Sequence, residues 1–347
     1  MISRCVSFLI SRSAVLAVFA GTVVSLPSAL FAQEKTPTLG VIERIAPAFD
    51  ELVPKDAQVE KLADGFDWSE GPVWDRKGGF LLFSDVPLNT VFKWTEGKGV
   101  SVFKKPSGYT GAVARGGEPG SNGLIMDHQG RLVLCQHGDR RIARLEADGS
   151  FTTIADHYDG KRFNSPNDGA FKSNGDFYFT DPPYGLLGLN KDPAKELGFN
   201  GVYRVSAKDG AVTLLTKEMT FPNGIAFSPD EKTLYVANSD PRMAIWNAFP
   251  VKDDGTLGEG RVFADVTSLA ATKKGLPDGM KVDAKGNLFA SGPGGILVMS
   301  PEGTHLGTFA TGEATANCGW GGDGSTLYIT ADMYIGRVKL TTKGNGF

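Results

Sequence analysis

Short runs of β-branched and aromatic residues recur along most of the chain, and each run is bounded by Gly, Asp or Asn. Residues of the first kind favour strands and the bounding residues favour turns, so each run is predicted to be a strand. Six runs have similar flanking residues, at 79–85, 131–136, 176–181, 233–238, 287–291 and 326–330. Most follow a short turn that ends in Gly, such as Asp75-Arg-Lys-Gly78. Helical periodicity is almost absent, so the pattern predicts an all-β protein.

A small apolar frame around one polar residue precedes each of these strands. The polar residues, spaced by 39 to 56 positions, are Glu70, Asn122, Asn167, Asn223, Asp278 and Asn317. A repeat of this length indicates one supersecondary unit that is used several times. Third and fourth strand-like runs follow in most units, for example at 90–94 and 99–103. Four strands in each of six units predict a six-bladed β-propeller, whereas a β-sandwich would leave the recurring frame unexplained.

The first 32 residues have the organisation of a signal peptide. Arg4 and Arg12 provide the positive charge, an apolar run covers 14–26, and Ala32 is a suitable cleavage position. The alternative is an uncleaved membrane anchor, but the run is short for a membrane span. We therefore expect a signal peptide at 1–32, an N-terminal extension at 33–56 and the propeller at 57–347. The mature protein is expected to be periplasmic or secreted and detached from the membrane.

Composition excludes some classes of function. The 347 residues are 41% hydrophobic and 22% charged, and the 45 glycines suit a fold with many tight turns. Loss of 1–32 removes two arginines and no acid, which takes the formal net charge from −3 to −5. A mildly acidic chain without a basic stripe is a poor candidate for nucleic acid, and no obligate protein partner is indicated. Cys135 and Cys318 occupy different positions in their repeats, which favours buried free thiols over a disulfide.

The recurring polar residues predict a site for a hard cation. In a propeller the first strand of each blade is innermost, so all six residues are expected to line one mouth of the axial channel. A buried carboxylate is costly unless it is paired or bound to metal, and no Lys or Arg occupies the equivalent positions to pair with Glu70 or Asp278. An all-oxygen set favours Ca²⁺, Mg²⁺ or Mn²⁺ over structural zinc. Taken singly, Pro-Asn-Gly at 222–224 and Pro-Asp-Gly at 277–279 are also good turn sequences.

Several motifs, in order along the chain, resemble one family. The frames above, together with Gln136-His-Gly138, Ser165-Pro-Asn-Asp168 and Thr180-Asp-Pro-Pro-Tyr-Gly185, resemble the senescence-marker-protein/gluconolactonase/luciferin-regenerating-like group of six-bladed propellers. The resemblance implies one divalent cation, most often Ca²⁺ and otherwise Zn²⁺, Mn²⁺ or Mg²⁺. Its ligands would be Glu70, Asn167, Asn223 and Asp278. It also implies a carboxylic-ester hydrolase that opens a small-molecule sugar lactone, such as glucono-1,5-lactone, to the aldonic acid, with Asp278 as base and ligand.

Other residues near the expected mouth are candidates for catalysis or substrate binding. His137 follows a strand that ends there and is an alternative base, although an exposed or structural histidine is an equally good interpretation. The candidates for binding sugar hydroxyls are Asn122, Arg162, Asn164, Asp181 and Tyr184. For Arg162, an ion pair with a neighbouring acid is an equally good interpretation. The insertion at 182–200 is expected to form a lid or a substrate wall.

Two alternatives to a sugar lactonase remain open from the sequence. The same cation and channel would serve a related esterase or phosphotriesterase. A non-catalytic propeller that binds a ligand and keeps the cation for structure is a different class, and the fold alone does not decide between them.

Overall fold

Six antiparallel sheets make up most of the protein, whose computed structural model describes residues 37–347. The predicted signal peptide at 1–32 lies outside the described residues. The innermost strands of the sheets contact one another in the order of the chain, and the last contacts the first. The sheets therefore close into a ring around one axis, and the prediction of a six-bladed β-propeller is confirmed.

Each sheet forms one blade, and the strands are given from the axis outward. Blade 1 contains Ser69–Asp75, Phe80–Asp85, Thr90–Thr95 and Gly99–Lys104. Blade 2 contains Ser121–Met126, Leu132–Gln136, Arg141–Leu145 and Phe151–Ala155. Blade 3 contains Gly169–Phe171, Phe177–Asp181, Gly201–Val205 and Val212–Thr216. Blade 4 contains Pro222–Phe227, Thr233–Asp240, Met243–Pro250 and Arg261–Asp265. Blade 5 contains Met280–Val282, Leu288–Gly292, Gly295–Met299, His305–Ala310 and Val41–Arg44. Blade 6 contains Thr315–Gly321, Thr326–Ala331, Tyr334–Lys339 and Glu60–Asp64.

The N-terminal part of the described chain completes two blades formed by the C-terminal part. Glu60–Asp64 pairs antiparallel with Tyr334–Lys339 and so joins the two ends of the ring. Val41–Arg44 pairs with His305–Ala310 and adds a fifth strand to blade 5. Much of the expected extension at 33–56 is thus built into the propeller, since the segment Pro47–Glu51 also buries Phe49 completely.

The remaining elements are short. A small hairpin pairs His157–Tyr158 with Lys161–Arg162 between blades 2 and 3. Pro47–Glu51 and Leu189–Lys191 are 3₁₀ helices, and Thr267–Ala270 is a single turn of α-helix. Within 37–347, no helix has the length and apolar character needed to cross a membrane.

Apolar side chains fill the spaces between neighbouring blades. Between blades 2 and 3, for example, Val133, Cys135 and Ile142 belong to the same buried cluster as Phe179 and Tyr203. Full burial of one such aliphatic or aromatic side chain contributes about 1.5–3 kcal/mol to stability. Cys135 and Cys318 are buried free thiols, which confirms the interpretation favoured from the sequence.

Candidate active site

A cavity of about 510 Å³ opens at one end of the propeller axis. Its floor contains five of the six recurring polar residues, namely Glu70, Asn122, Asn167, Asn223 and Asp278. Each stands at or just before the start of the first strand of its blade. The structure therefore brings together residues that are separated by more than 200 positions in the chain.

The sixth recurring residue, Asn317, does not line this cavity, and the expectation that it would is wrong. In blade 1 the irregularity in strand pairing lies after Glu70, whereas in blade 6 it lies between Thr315 and Asn317. Asn317 consequently lies one level deeper along the axis. There its amide nitrogen donates to Glu70 Oε2 at 3.3 Å and to Asp168 Oδ2 at 3.5 Å. The role of Asn317 is thus to support the floor rather than to form it.

Glycines form most of the level beneath the floor. A Cβ on Gly71 would lie 2.3 Å from the carbonyl oxygen of Asn122, and one on Gly224 would lie 2.2 Å from that of Asp278. Gly71 also has a φ of +52°, which disfavours any residue with a side chain. These close approaches let the innermost strands converge tightly around the axis beneath the floor.

The floor presents unpaired oxygen acceptors to the cavity. The amide oxygens of Asn122, Asn167 and Asn223 are buried and accept no hydrogen bond from the described protein. Glu70 accepts from the main-chain N–H of Gly71 at 2.8 Å through Oε2, the same oxygen that Asn317 contacts, which leaves Oε1 available. Orphaned buried acceptors are costly, and a cation relieves that cost for all of them at once.

This donor set suits a hard divalent cation. No group of three or more His, Cys, Asp or Glu side chains within residues 37–347 has an arrangement suited to a metal. The floor instead combines two carboxylates with neutral amide oxygens, which is the ligand chemistry of Ca²⁺ and related ions. Glu70, Asn167, Asn223 and Asp278 are the residues that would hold such an ion, with Asn122 as a further oxygen nearby.

The acids at the axis have strongly perturbed protonation. Burial raises the pKa of Glu70, and the charge of Asp168 adds to this effect. Burial also raises the pKa of Asp278 well above its ordinary value, and the neighbouring charge of Glu70 adds to the shift. Asp168, beneath the floor, has its pKa raised by burial as well. Two close buried carboxylates repel each other, and a bound divalent cation would stabilise both in the ionised form.

His137 lies behind the floor rather than in the cavity. Its side chain is fully buried, so the exposed alternative does not apply. Nε2 is 3.4 Å from the side-chain nitrogen of Asn167. Nδ1 is 3.2 Å from Glu118 Oε2, but the oxygen lies off the direction of an N–H bond, and Nδ1 has no aligned partner among the described residues. Both ring nitrogens thus face protein groups.

The predicted substrate-binding residues divide into two sets. Asn122 and Tyr184 line the cavity, and the ring of Tyr184 stacks on Phe221 at 6.0 Å. Asp181 does not line it, since its carboxylate accepts from the main-chain N–H groups of Asn164 and Ser165, each at 2.8 Å. These bonds hold the segment that leads to Asn167.

Asn164 and Arg162 also point away from the cavity. The Asn164 amide nitrogen donates to the main-chain oxygens of Asp181 and Phe199 at 3.0 and 2.9 Å. Arg162 donates to the carbonyl oxygen of Asp139 at 2.6 Å. Burial raises the pKa of Asp181 to about 7. Asp181, Asn164 and Arg162 therefore occupy positions that suit support of the site rather than contact with a substrate.

The insertion at 182–200 contributes one wall of the cavity through Tyr184. Leu186 is buried, whereas Leu187 and Leu189 are exposed. Residues from 190 onward line a separate surface depression next to blade 4. Only the start of the insertion therefore contributes to the cavity wall, through Tyr184.

Several cavity residues lie outside the sites inferred from the sequence, and four of them carry polar or aromatic side chains. These four are Trp68, Glu118, Ser239 and Lys273. The structure places Trp68 on the cavity wall, where it is half-buried. Lys273 pairs with Glu43 at 3.2 Å. Glu118 lies in a loop with no strand pattern, so no sequence signal marked it, whereas Ser239 directly follows a predicted strand.

Comparisons with known proteins agree with this architecture. Residues 68–332 match the family model described as "SMP-30/Gluconolactonase/LRE-like region". The chain is 41% identical over 319 residues to a gluconolactonase from Zymomonas mobilis, covering 88% of each chain.

Solved structures of other proteins are also similar to this chain. A gluconolactonase from Xanthomonas campestris is similar with a TM-score of 0.76 at 32% identity, over 88% of this chain and 97% of the other. A calcium-binding protein, regucalcin, from Agrobacterium tumefaciens shares the fold with a TM-score of 0.64 at 20% identity, over 83% of this chain and 94% of the other. The chain is thus a homologue of gluconolactonase and belongs to the SMP-30/gluconolactonase/LRE-like family.

Proposed function

We propose that the protein is an exported, metal-dependent lactone hydrolase that opens a sugar lactone of the glucono-1,5-lactone type. The observation that carries the proposal is the floor of the cavity, where three orphaned amide oxygens accompany two buried carboxylates. The similarity to gluconolactonases supports the choice of substrate. Ca²⁺ is the cation we favour, in line with the calcium-binding relative of the same fold. Export rests on the sequence of residues 1–32 and implies a periplasmic or secreted protein.

When bound at the floor, the cation would polarise the lactone carbonyl and stabilise negative charge on its oxygen. The protein's own groups would supply proton transfer and orientation. Asp278 is the base we propose, because it is a carboxylate on the cavity floor that the cation would hold in the ionised, proton-accepting form. It would draw a proton from the attacking water. The water oxygen would bond to the carbonyl carbon, and the bond from that carbon to the ring oxygen would break. The ring oxygen would take the proton back from Asp278 and become a hydroxyl of the aldonic acid.

The cavity walls would orient the sugar ring. The Asn122 amide and the Tyr184 hydroxyl are polar groups at the cavity surface that match ring hydroxyls. Trp68 and Leu276 provide apolar surface for the C–H face of the ring. A volume of about 510 Å³ falls in the range of cavities that enclose drug-sized ligands. Larger lactones and related esters should therefore be tested beside the sugar lactone.

The test is hydrolysis of glucono-1,5-lactone by the chain without residues 1–32, followed by acid release. Activity should fall with a chelator and return with Ca²⁺, Mn²⁺, Zn²⁺ or Mg²⁺. Asp278→Asn should keep a neutral oxygen ligand and lose about 10²–10⁴-fold in kcat, the usual contribution of a general base. Asp253→Asn, at an exposed position, serves as the control. A metal-loaded protein with no rate above the spontaneous one on lactones or esters would leave the ligand-binding propeller as the better function.

A further inference from the structure

The side-chain amide of Asn167 has a defined orientation, because its oxygen and its nitrogen have different surroundings. Its oxygen faces the cavity without a hydrogen-bond donor, and its nitrogen lies 3.4 Å from His137 Nε2. An amide nitrogen carries only donor hydrogens, so Nε2 must be the unprotonated, accepting nitrogen of the imidazole. In a neutral ring the proton then resides on Nδ1.

The group available to Nδ1 is a carboxylate on a neighbouring loop. Glu118 Oε2 is 3.2 Å from Nδ1, and about a third of the Glu118 side chain is exposed, so a small rotation would align the two. The loop that carries Glu118 is anchored by Arg115, which donates to the carbonyl oxygens of Gly138 and Gly185. Glu118 is thus held at the edge of the cavity, beside the histidine.

The opposite tautomer would disrupt the floor. A proton on Nε2 would face the N–H groups of Asn167, and the amide would relieve the conflict by turning over. Its N–H groups would then face the cavity, where a cation needs an oxygen. The main chain of Asn167 is fixed separately, since its N–H donates to Thr180 O at 2.9 Å. The histidine therefore acts on the amide and not on the backbone.

Asn223, a second floor residue, is also oriented by a hydrogen bond from its amide nitrogen. The Asn223 amide nitrogen donates to Ser239 Oγ at 3.0 Å, while the Ser239 hydroxyl donates its own proton to the carbonyl oxygen of Pro277. The hydroxyl behind this amide has its proton committed to a further oxygen, as the inferred N–H at Nδ1 of His137 would have on Glu118. The amide oxygen is consequently turned toward the cavity.

We propose that Glu118 and His137 are positioning residues that hold the amide oxygen of Asn167 toward the cation position. Glu118 selects the tautomer of His137, and His137 Nε2 accepts from the Asn167 amide nitrogen. Partners of this kind, one shell outside the metal ligands, typically change metal affinity by 10–100-fold when removed. The inference rests on the proposed function, because it takes Asn167 as a ligand, and it gives His137 a role other than that of a base.

The first test is cation affinity without substrate, measured with Tb³⁺ through luminescence sensitised by Trp68 and with Ca²⁺ by competition. His137→Leu, which removes the acceptor, should weaken binding about 10–100-fold. Glu118→Ala should weaken it by up to about tenfold, whereas Glu118→Gln, which keeps an acceptor, should stay near wild type. Because Glu118 acts through His137, adding Glu118→Ala to His137→Leu should cause no further loss. Glu96→Gln, at an exposed position on blade 1, is the matched control.

Two results would overturn the proposal. One is an equal loss for Glu118→Gln and Glu118→Ala, which would mean that Glu118 acts on the cation through its charge. The other is multiplicative losses for the two sites, which would mean that they act independently.

A second measurement does not depend on metal. ¹⁵N NMR of the cation-free protein at pH 8 should show His137 protonated on Nδ1, with a shift toward the other tautomer in Glu118→Ala. A ring protonated on Nε2 in the wild type would refute the inference. A wild type that binds no cation, but has the expected tautomer, would instead refute the proposed function.

Discussion

Removal of the cation should make the stability of the protein fall as pH rises. In the cation-free protein, burial and the nearby charge of Asp168 raise the pKa of Glu70 from 4.5 to about 8. Between these values the folded protein retains a proton that the unfolded chain has released. The free energy of unfolding therefore decreases with increasing pH across this interval, and the stabilisation is complete only below pH 4.5.

The magnitude follows from the width of the interval. Each pH unit costs about 1.4 kcal/mol while the extra proton is retained. For Glu70 alone, the interval from 4.5 to about 8 amounts to a loss on the order of 5 kcal/mol. That loss corresponds to a decrease in Tm of roughly 10 °C for a domain of this size. Asp278 and Asp181 contribute in the same direction, because burial raises the pKa of each.

Thermal unfolding in chelator and in Ca²⁺, from pH 5 to 8.5, tests this reasoning. With chelator, Tm should fall across the range, and added Ca²⁺ should raise Tm more at pH 8 than at pH 5, since the cation and the protons compete for the same carboxylates. The double variant Glu70→Gln, Asp278→Asn should retain only the smaller slope that the other buried acids with raised pKa, such as Asp168 and Asp181, contribute. A cation-free Tm that is constant or rises from pH 5 to 8 would show that the floor carboxylates do not hold protons in the folded protein.

Two further variants test the floor from below. Gly71→Ala should lower the free energy of unfolding, measured by denaturant titration, by more than about 2 kcal/mol, because the new Cβ would meet the carbonyl oxygen of Asn122 and the φ of Gly71 is positive. Gly79 also has a positive φ but open space around it, so the control variant Gly79→Ala should lose only about 1 kcal/mol in the same titration. Asn317→Leu removes a donor to Glu70 and should destabilise the cation-free protein by about 1.5–3 kcal/mol at pH 8 and by less at pH 5. A loss of equal size at both pH values would argue against that hydrogen bond.

The sequence predicted most of the fold because strand and turn chemistry repeat locally in each blade. Two outer strands that the sequence pattern did not predict, in blades 4 and 6, have weaker local signals. Arg261–Asp265 lies at the outer edge of blade 4, where several side chains are exposed, and its hydrophobic pattern is short. Glu60–Asp64 contains no β-branched or aromatic residue, and its partner strand is about 270 positions away. Its pairing is imposed by closure of the ring and not by local propensity.

The candidate site was predictable as a set of residue types but not as a set of oriented atoms. A recurring frame identified Glu70 and Asp278, yet the same frame misplaced Asn317, because a shift of one position in strand pairing moves a side chain to another level. Amide residues add a second ambiguity, since oxygen and nitrogen occupy equivalent ends of the same group. Only groups from other segments, Ser239 for Asn223 and His137 for Asn167, make the two ends different. In this propeller the repeat places the floor residues around the axis, and unrepeated residues behind them determine which atoms face it.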